Sequence, residues 1–107
     1  MKLILRTAAR GDILSQVAYL LEASAFGAAA RFPEATEEAF EQIRRNPGIG
    51  APRQFDNPRF KGLRSWPVPG FEHIRIYYLQ PDRHTIRVVR ILHGKRDLGR
   101  ILGSEQA

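Results

Sequence analysis

The stretch that decides the fold runs from His84 to Leu98, His-Thr-Ile-Arg-Val-Val-Arg-Ile-Leu-His-Gly-Lys-Arg-Asp-Leu. Residues 84–93 read as a strand, with Ile86, Val88 and Leu92 on one face and Val89 and Ile91 on the other. A strand apolar on both sides packs one face on helices and leaves the other for a partner. Gly94 then turns the chain, and His93, Lys95, Arg96 and Asp97 fall together within five residues. A rigid element thus presents a compact polar cluster with two fixed positive charges.

Working back from this strand, the apolar period stays short. Gln80-Pro81-Asp82-Arg83 is a turn, and residues 72–79 form a strand in which Ile74, Ile76 and Tyr78 alternate with His73, Arg75 and Tyr77. Pro69-Gly70 suits the centre of a type II turn, and residues 60–68 form the strand before it. Residues 47–59, with Pro47, Gly48, Gly50, Pro52 and Pro58, are a loop long enough to be mobile or functional.

Further back the period lengthens to that of a helix. Ala29, Phe32, Ala35, Ala39, Phe40 and Ile43 line one side of a helix over about 27–46, ended by Asn46-Pro47-Gly48. Glu34, Glu37, Glu38 and Glu41 precede Arg44 and Arg45, an order that suits the helix dipole. Pro33 either kinks this helix or is the first residue of its regular part. A helix over about 8–23, capped by Thr7, carries Ile13, Leu14, Val17, Leu20 and Leu21 as its stripe and is weakened early by Gly11. Ser24-Ala25-Phe26-Gly27 breaks the two apart into an antiparallel hairpin. Residues 2–6 are a first strand, which closes one side of the three-stranded meander. The fold class is α+β, a helical hairpin on a small antiparallel sheet in the order β-α-α-β-β-β. The residues 95–102 form a C-terminal turn, and residues 1–107 make a single domain.

Composition narrows the function. The net charge is +6, and its distribution is uneven. Residues 1–52 hold six Lys/Arg and six Asp/Glu, whereas residues 53–107 hold eleven against five. A one-sided positive field favours an anionic partner, such as nucleic acid, an acidic protein segment or a nucleic-acid-bound machine. With no cysteine, disulfides, thiol chemistry and Cys-ligated metals are excluded, which is compatible with a cytoplasmic protein. No apolar run approaches the roughly 18 residues of a membrane span, and the N-terminus lacks the apolar core of a signal peptide.

No metal site and no cofactor are expected, since His73, His84 and His93 are scattered and no Gly-x-Ser-x-Gly or P-loop pattern is present. What remains is a basic set of Arg64, Arg75, Arg87, Arg90, Lys95 and Arg96, with Tyr77, His73 and His93 nearby. Metal-free RNA cleavage needs a base, an acid and cations for the phosphorane, and His93 with the arginines offers such a set. The plainer alternatives are ion pairs for Arg64 and Arg75, a backbone-bonded strand-end histidine for His93, and an orienting or capping role for Asp97.

Several stretches together resemble the ParE/RelE toxin superfamily of bacterial type II toxin–antitoxin pairs, the plasmid stabilisation proteins. They are Asn46-Pro47 with Gly50, Gly62-Leu63-Arg64, Ile74-Arg75-Ile76-Tyr77-Tyr78 and, above all, Ile91-Leu92-His93-Gly94-Lys95-Arg96-Asp97-Leu98. The resemblance covers residues 3–102. RelE-like members cleave mRNA on the ribosome without a metal, and ParE-like members poison DNA gyrase. Arg75 and Arg96 match two arginines of the nuclease branch, with His93 beside them, but the nuclease tyrosine falls near Leu102, which has no ionisable group. The His-Gly-Lys-Arg-Asp-Leu ending is more typical of the ParE branch. The resemblance therefore implies a gyrase inhibitor without chemistry of its own, binding its target through Arg64, Arg75, His93, Lys95, Arg96 and Leu102. A RelE-like endoribonuclease and a non-toxic antitoxin-binding relic are the alternatives. It also implies a ParD-like antitoxin partner in a hetero-oligomer, with DNA reached only through that antitoxin.

Overall fold

The computed structural model describes residues 1–54, 56–94 and 100. Lys95, Arg96, Asp97 and Leu102, with the expected turn over 95–102, lie outside the described residues, Arg100 excepted. Strand β1 (Lys2–Leu5) leads into helix α1 (Thr7–Glu22) and helix α2 (Phe26–Arg45), and then come β2 (Ala51–Pro52), β3 (Arg64–Val68), β4 (Phe71–Asp82) and β5 (Thr85–His93). The sheet order is β1-β5-β4-β3-β2. β1 runs parallel to β5 with Lys2 opposite Thr85, and the other neighbours are antiparallel. This is the expected α+β architecture, a helical hairpin on a mixed sheet.

The hairpin packs on one face of the sheet. Phe32, Ala39, Phe40 and Ile43 of α2 meet Ile74, Ile76 and Tyr78 of β4 and Ile86, Val88 and Ile91 of β5, with Phe32 edge-on to Phe71 at 5.1 Å. Side chains of α2 at helical spacing thus cover strand side chains at alternate spacing. Burying a large aliphatic or aromatic side chain in this way contributes about 1.5–3 kcal/mol.

Several local expectations are corrected. Thr7 is not a cap, because Arg6 holds the N-cap position and no side chain accepts there. The helix starts one residue early, and Arg10 donates to the Arg6 carbonyl. Pro33 does not open α2, because the helix begins at Phe26 and runs through it. Its ring lies on the exposed side of the helix, where one missing backbone donor is tolerated. Leu14 and Leu21 are exposed, whereas Ile13, Val17 and Leu20 reach the core. The apolar residues of α1 wrap further round the helix than a single buried face can use. Residues 60–63 are not strand, since a 3₁₀ turn at Pro58–Phe60 precedes β3 and the loop before it contributes the short β2.

The most consequential correction concerns β5. Tyr77 pairs with Arg90 but Tyr78 pairs with Val88, so Val89 is an extra residue, a β-bulge. The bulge shifts the alternation by one. Ile91 therefore joins Ile86 and Val88 on the helical face, while Leu92 joins Val89 on the other. Asp12 of α1 pins the bulge, accepting from Arg90 Nε at 2.8 Å, from its terminal nitrogen at 2.7 Å and from the Ile91 amide at 2.8 Å.

The second face of the sheet is not left bare. Phe60 and Leu63 fold back over Tyr77, Val89 and Leu92, with Leu79 alongside. The loop before β3 is fastened by Tyr78, whose hydroxyl donates to the Pro47 carbonyl at 2.6 Å and accepts from the Gly50 amide at 2.9 Å. Arg64 supports the same loop by donating to the carbonyls of Gly48 and Gly50.

This fastening has a pH signature. Burial raises the ionisation of the Tyr78 hydroxyl above its ordinary range, and burial does the same at Tyr77. An unfolded tyrosine loses its proton near pH 10, before the folded one does, so stability is intact below about pH 10 and falls above it. Tyr78→Phe is expected to cost about 1–3 kcal/mol at neutral pH by orphaning the Gly50 amide and the Pro47 carbonyl. It should also flatten the alkaline decline, as read by urea unfolding from about pH 9 to about pH 11.

Candidate functional site

On the sheet face away from the helices, Ser65 of β3 stands directly opposite Tyr77 of β4. Alternation puts Arg75 on the same face, two residues before Tyr77. The fourth group is Arg53, which leaves β2 with its amide on the Leu63 carbonyl and so comes alongside Ser65. Both guanidiniums converge on one oxygen. Arg53 Nε donates to Ser65 Oγ at 2.9 Å and Arg75 Nε donates to it at 3.0 Å, while a terminal nitrogen of Arg75 reaches the Ser65 carbonyl. Ser65 is fully buried and both arginines are half-buried.

Neither Arg53 nor Arg75 meets a carboxylate among the described residues. Two positive groups therefore share one neutral acceptor, an arrangement with net repulsion between them. Its cost shows at Arg75, whose guanidinium is held below its ordinary range first by burial and then by the charge of Arg53. Tyr77 completes the group. Its hydroxyl is buried without a hydrogen-bond partner among the described residues, which is unusual for a polar atom inside a protein. Burial raises its ionisation, and the charges of Arg53 and Arg75 oppose that shift without cancelling it.

The turn after β5 closes the site. A methyl group on Gly94 would lie 3.0 Å from Arg75 Cδ and 3.4 Å from the Tyr77 hydroxyl, so both reach this turn. The Gly94 amide donates to the His73 carbonyl, and the rings of His73 and His93 stack at 5.7 Å. A separate depression on the same face is lined by Arg6, Arg59 and Arg87 around Phe60, Leu79 and Val89.

Of the residues expected to form a site, Arg75 and His93 are brought to the same end of the sheet. Arg64 is not, because it stands opposite Tyr78 and its guanidinium holds the Gly48–Gly50 loop. Its partners among the described residues are carbonyls rather than carboxylates, and those of Arg75 are the Ser65 hydroxyl and carbonyl. Arg90 is paired, to Asp12, and is structural. Arg53 and Ser65 were not expected. Nothing local marks Arg53, since only the β2–β3 pairing brings it in. Ser65 was legible in part, through its alternation with Arg64 and Trp66.

No group of three or more His, Asp or Glu side chains suited to a metal ion occurs among the described residues. No helix among them is long and apolar enough to cross a membrane. No curated protein matches the sequence significantly. Among solved structures, the chain is similar to one from the chromosomal ParDE toxin–antitoxin system of P. aeruginosa. The TM-score is 0.68 at 16% identity, over 87% of this chain and 95% of that one. At that identity the likeness speaks for the fold. The sequence itself matches the family model of the ParE toxin of the type II toxin–antitoxin system parDE over residues 3–98, from the first strand to beyond the end of the last. The chain thus belongs to the ParE toxin family of type II toxin–antitoxin systems.

Proposed function

We propose that this toxin inhibits DNA gyrase and traps it on DNA without a chemical step of its own, and that a cognate antitoxin neutralises it. The observation that carries this reading is the Arg53–Arg75 pair, two half-buried cations on the helix-free face of a ParE fold with no carboxylate among the described residues to balance them. They are suited to an acidic or nucleic-acid-bound target. His93, stacked on His73, lies at the same end of the sheet, Arg64 is a more distant contact beyond the Gly48–Gly50 loop, and Lys95, Arg96 and Leu102 follow in sequence as further contacts.

The geometry favours binding over cleavage. A general base must exchange its proton near neutral pH and touch solvent or substrate. The hydroxyl beside Arg75 is that of Tyr77, which is fully buried and harder to ionise than usual. The antitoxin reading draws on a second surface as well. Leu14, Tyr19, Leu21 and Phe26 stay exposed along the helical hairpin, an apolar area of the kind a partner helix or strand covers.

The test is a supercoiling assay with gyrase, ATP and purified toxin, scored for lost supercoiling and for trapped cleaved DNA. Wild-type toxin should inhibit in proportion to dose. Arg53→Gln with Arg75→Gln should weaken inhibition by about tenfold or more, since charge-assisted contacts are lost. No inhibition at excess wild-type toxin discards the gyrase reading, and codon-specific cuts in a translating extract would install the ribonuclease instead.

A further inference from the structure

The arginine cluster has a chemistry of its own. Ser65 Oγ accepts from two guanidiniums, which uses both of its lone pairs and leaves its proton to give away. The Tyr77 hydroxyl has no partner and is likewise able to donate. Arg53 and Arg75 each keep terminal N–H groups that no carboxylate among the described residues engages, and guanidinium has no acceptor at all. The two charged groups at this spot can only donate, and the two hydroxyls beside them can donate as well. An anion is the partner that satisfies all four.

We propose that Arg53, Arg75, Ser65 and Tyr77 form a carboxylate-binding subsite, and that its occupant is an Asp or Glu side chain of the antitoxin. The occupant rests on the toxin–antitoxin reading above; the subsite itself does not. Two features select a carboxylate over a phosphodiester. The Tyr77 hydroxyl is fully buried beside the Gly94 turn, so the ligand must enter on a narrow stem. An Asp or Glu side chain has such a stem, whereas a phosphodiester carries a bulky sugar on both sides. The guanidiniums also present planar forks, which match a planar carboxylate through paired hydrogen bonds. Filling the site would remove the repulsion between Arg53 and Arg75 and satisfy the orphaned hydroxyl together. It would also explain neutralisation physically, since the antitoxin would spend the cations that the target needs.

The first test uses the full chain and two small probes, acetate and dimethyl phosphate, followed through the arginine Nε–Hε NMR signals. Acetate should shift the Arg53 and Arg75 signals along one saturable curve, and dimethyl phosphate should bind at least about tenfold more weakly. Arg53→Gln should abolish the curve. Because that change also removes a bond to Ser65, Tyr77→Phe serves as the second variant. It deletes only an unpartnered hydroxyl, so it should fold with equal or greater stability yet bind acetate several-fold more weakly. No saturable shift, tighter binding of dimethyl phosphate, or unchanged acetate binding in Tyr77→Phe overturns the subsite.

The occupant is tested on the complex with the antitoxin. Arg53→Gln and Arg75→Gln should each raise Kd about ten- to hundredfold, and the double variant should be little worse than the weaker single one, as expected for two groups sharing one carboxylate. Full affinity in both variants overturns the occupant. Neither arm uses gyrase, so a failed supercoiling assay leaves this result readable.

Discussion

Asp12→Ala is expected to destabilise the toxin by roughly 3–4 kcal/mol, a large share of the about 5–15 kcal/mol that holds a domain of this size together. One carboxylate there makes three contacts across the chain, two to the Arg90 guanidinium and one to the Ile91 amide. Both side chains are well shielded, with 11% exposure for Asp12 and 17% for Arg90, so the Coulomb attraction is weakly screened. Alanine removes the counter-charge from beside a shielded guanidinium and strips the acceptor from an amide that the bulge has turned out of the ladder. Asp12→Asn keeps an acceptor but not the charge, and should fall between the two. Urea unfolding of the three proteins checks the order. An Asp12→Ala variant within about 0.5 kcal/mol of wild type, the usual range for an inert surface change, would mean that the bulge holds itself.

Gly50→Ala is expected to cost about 2–3 kcal/mol through overpacking and the strain it puts on the Tyr78 bonds. The added carbon would lie 2.7 Å from the Tyr78 hydroxyl, 2.8 Å from its Cε1 and 2.9 Å from the Ser65 carbonyl. None of these can yield cheaply. Tyr78 is fully packed and tied to Pro47, and the Ser65 carbonyl is part of the sheet backbone. The change would press the loop away from β3 and so move Arg53, which leaves that loop for the proposed anion site. Thermal unfolding reads the first effect, and the acetate titration reads the second as weaker binding. A variant as stable as wild type would show that the Gly50 loop relaxes without cost.

Both changes act at places the sequence half announced. Helical spacing identified the face of α2, because its six apolar residues recur with few competitors. The strands β4 and β5 were plain from alternation. Leu92 defeated that reading, since a bulge is a matter of register between two strands and leaves no composition mark on either. Leu14 and Leu21 defeated it too, because an apolar residue on a helix says that burial is favourable and not that this chain provides it. The site was legible in Arg75 and His93, which lie on regular elements near the Gly94 turn. Arg53 was not, because its position follows from two residues of β2 pairing with β3, a contact with no periodic signature. The charge asymmetry of the second half was silent on which arginines are balanced. Arg90 has its carboxylate, 78 positions earlier, while Arg53 and Arg75 have none among the described residues.

The parallel pairing of β1 with β5 sets when the molecule can exist at all. Among the described residues β1 has no sheet neighbour other than β5, about 80 positions later, with Lys2 against Thr85 and Leu5 against Val88. A chain emerging from the ribosome at about 5–20 residues per second therefore carries β1 and the helical hairpin unsheltered for several seconds. Such distant closures slow folding, because the entropy of the long loop is lost before any contact rewards it. The proposed anion site, which lies beside Gly94 just after β5, is completed in the same step. Its four groups thus stay apart until β5 has been made and has paired.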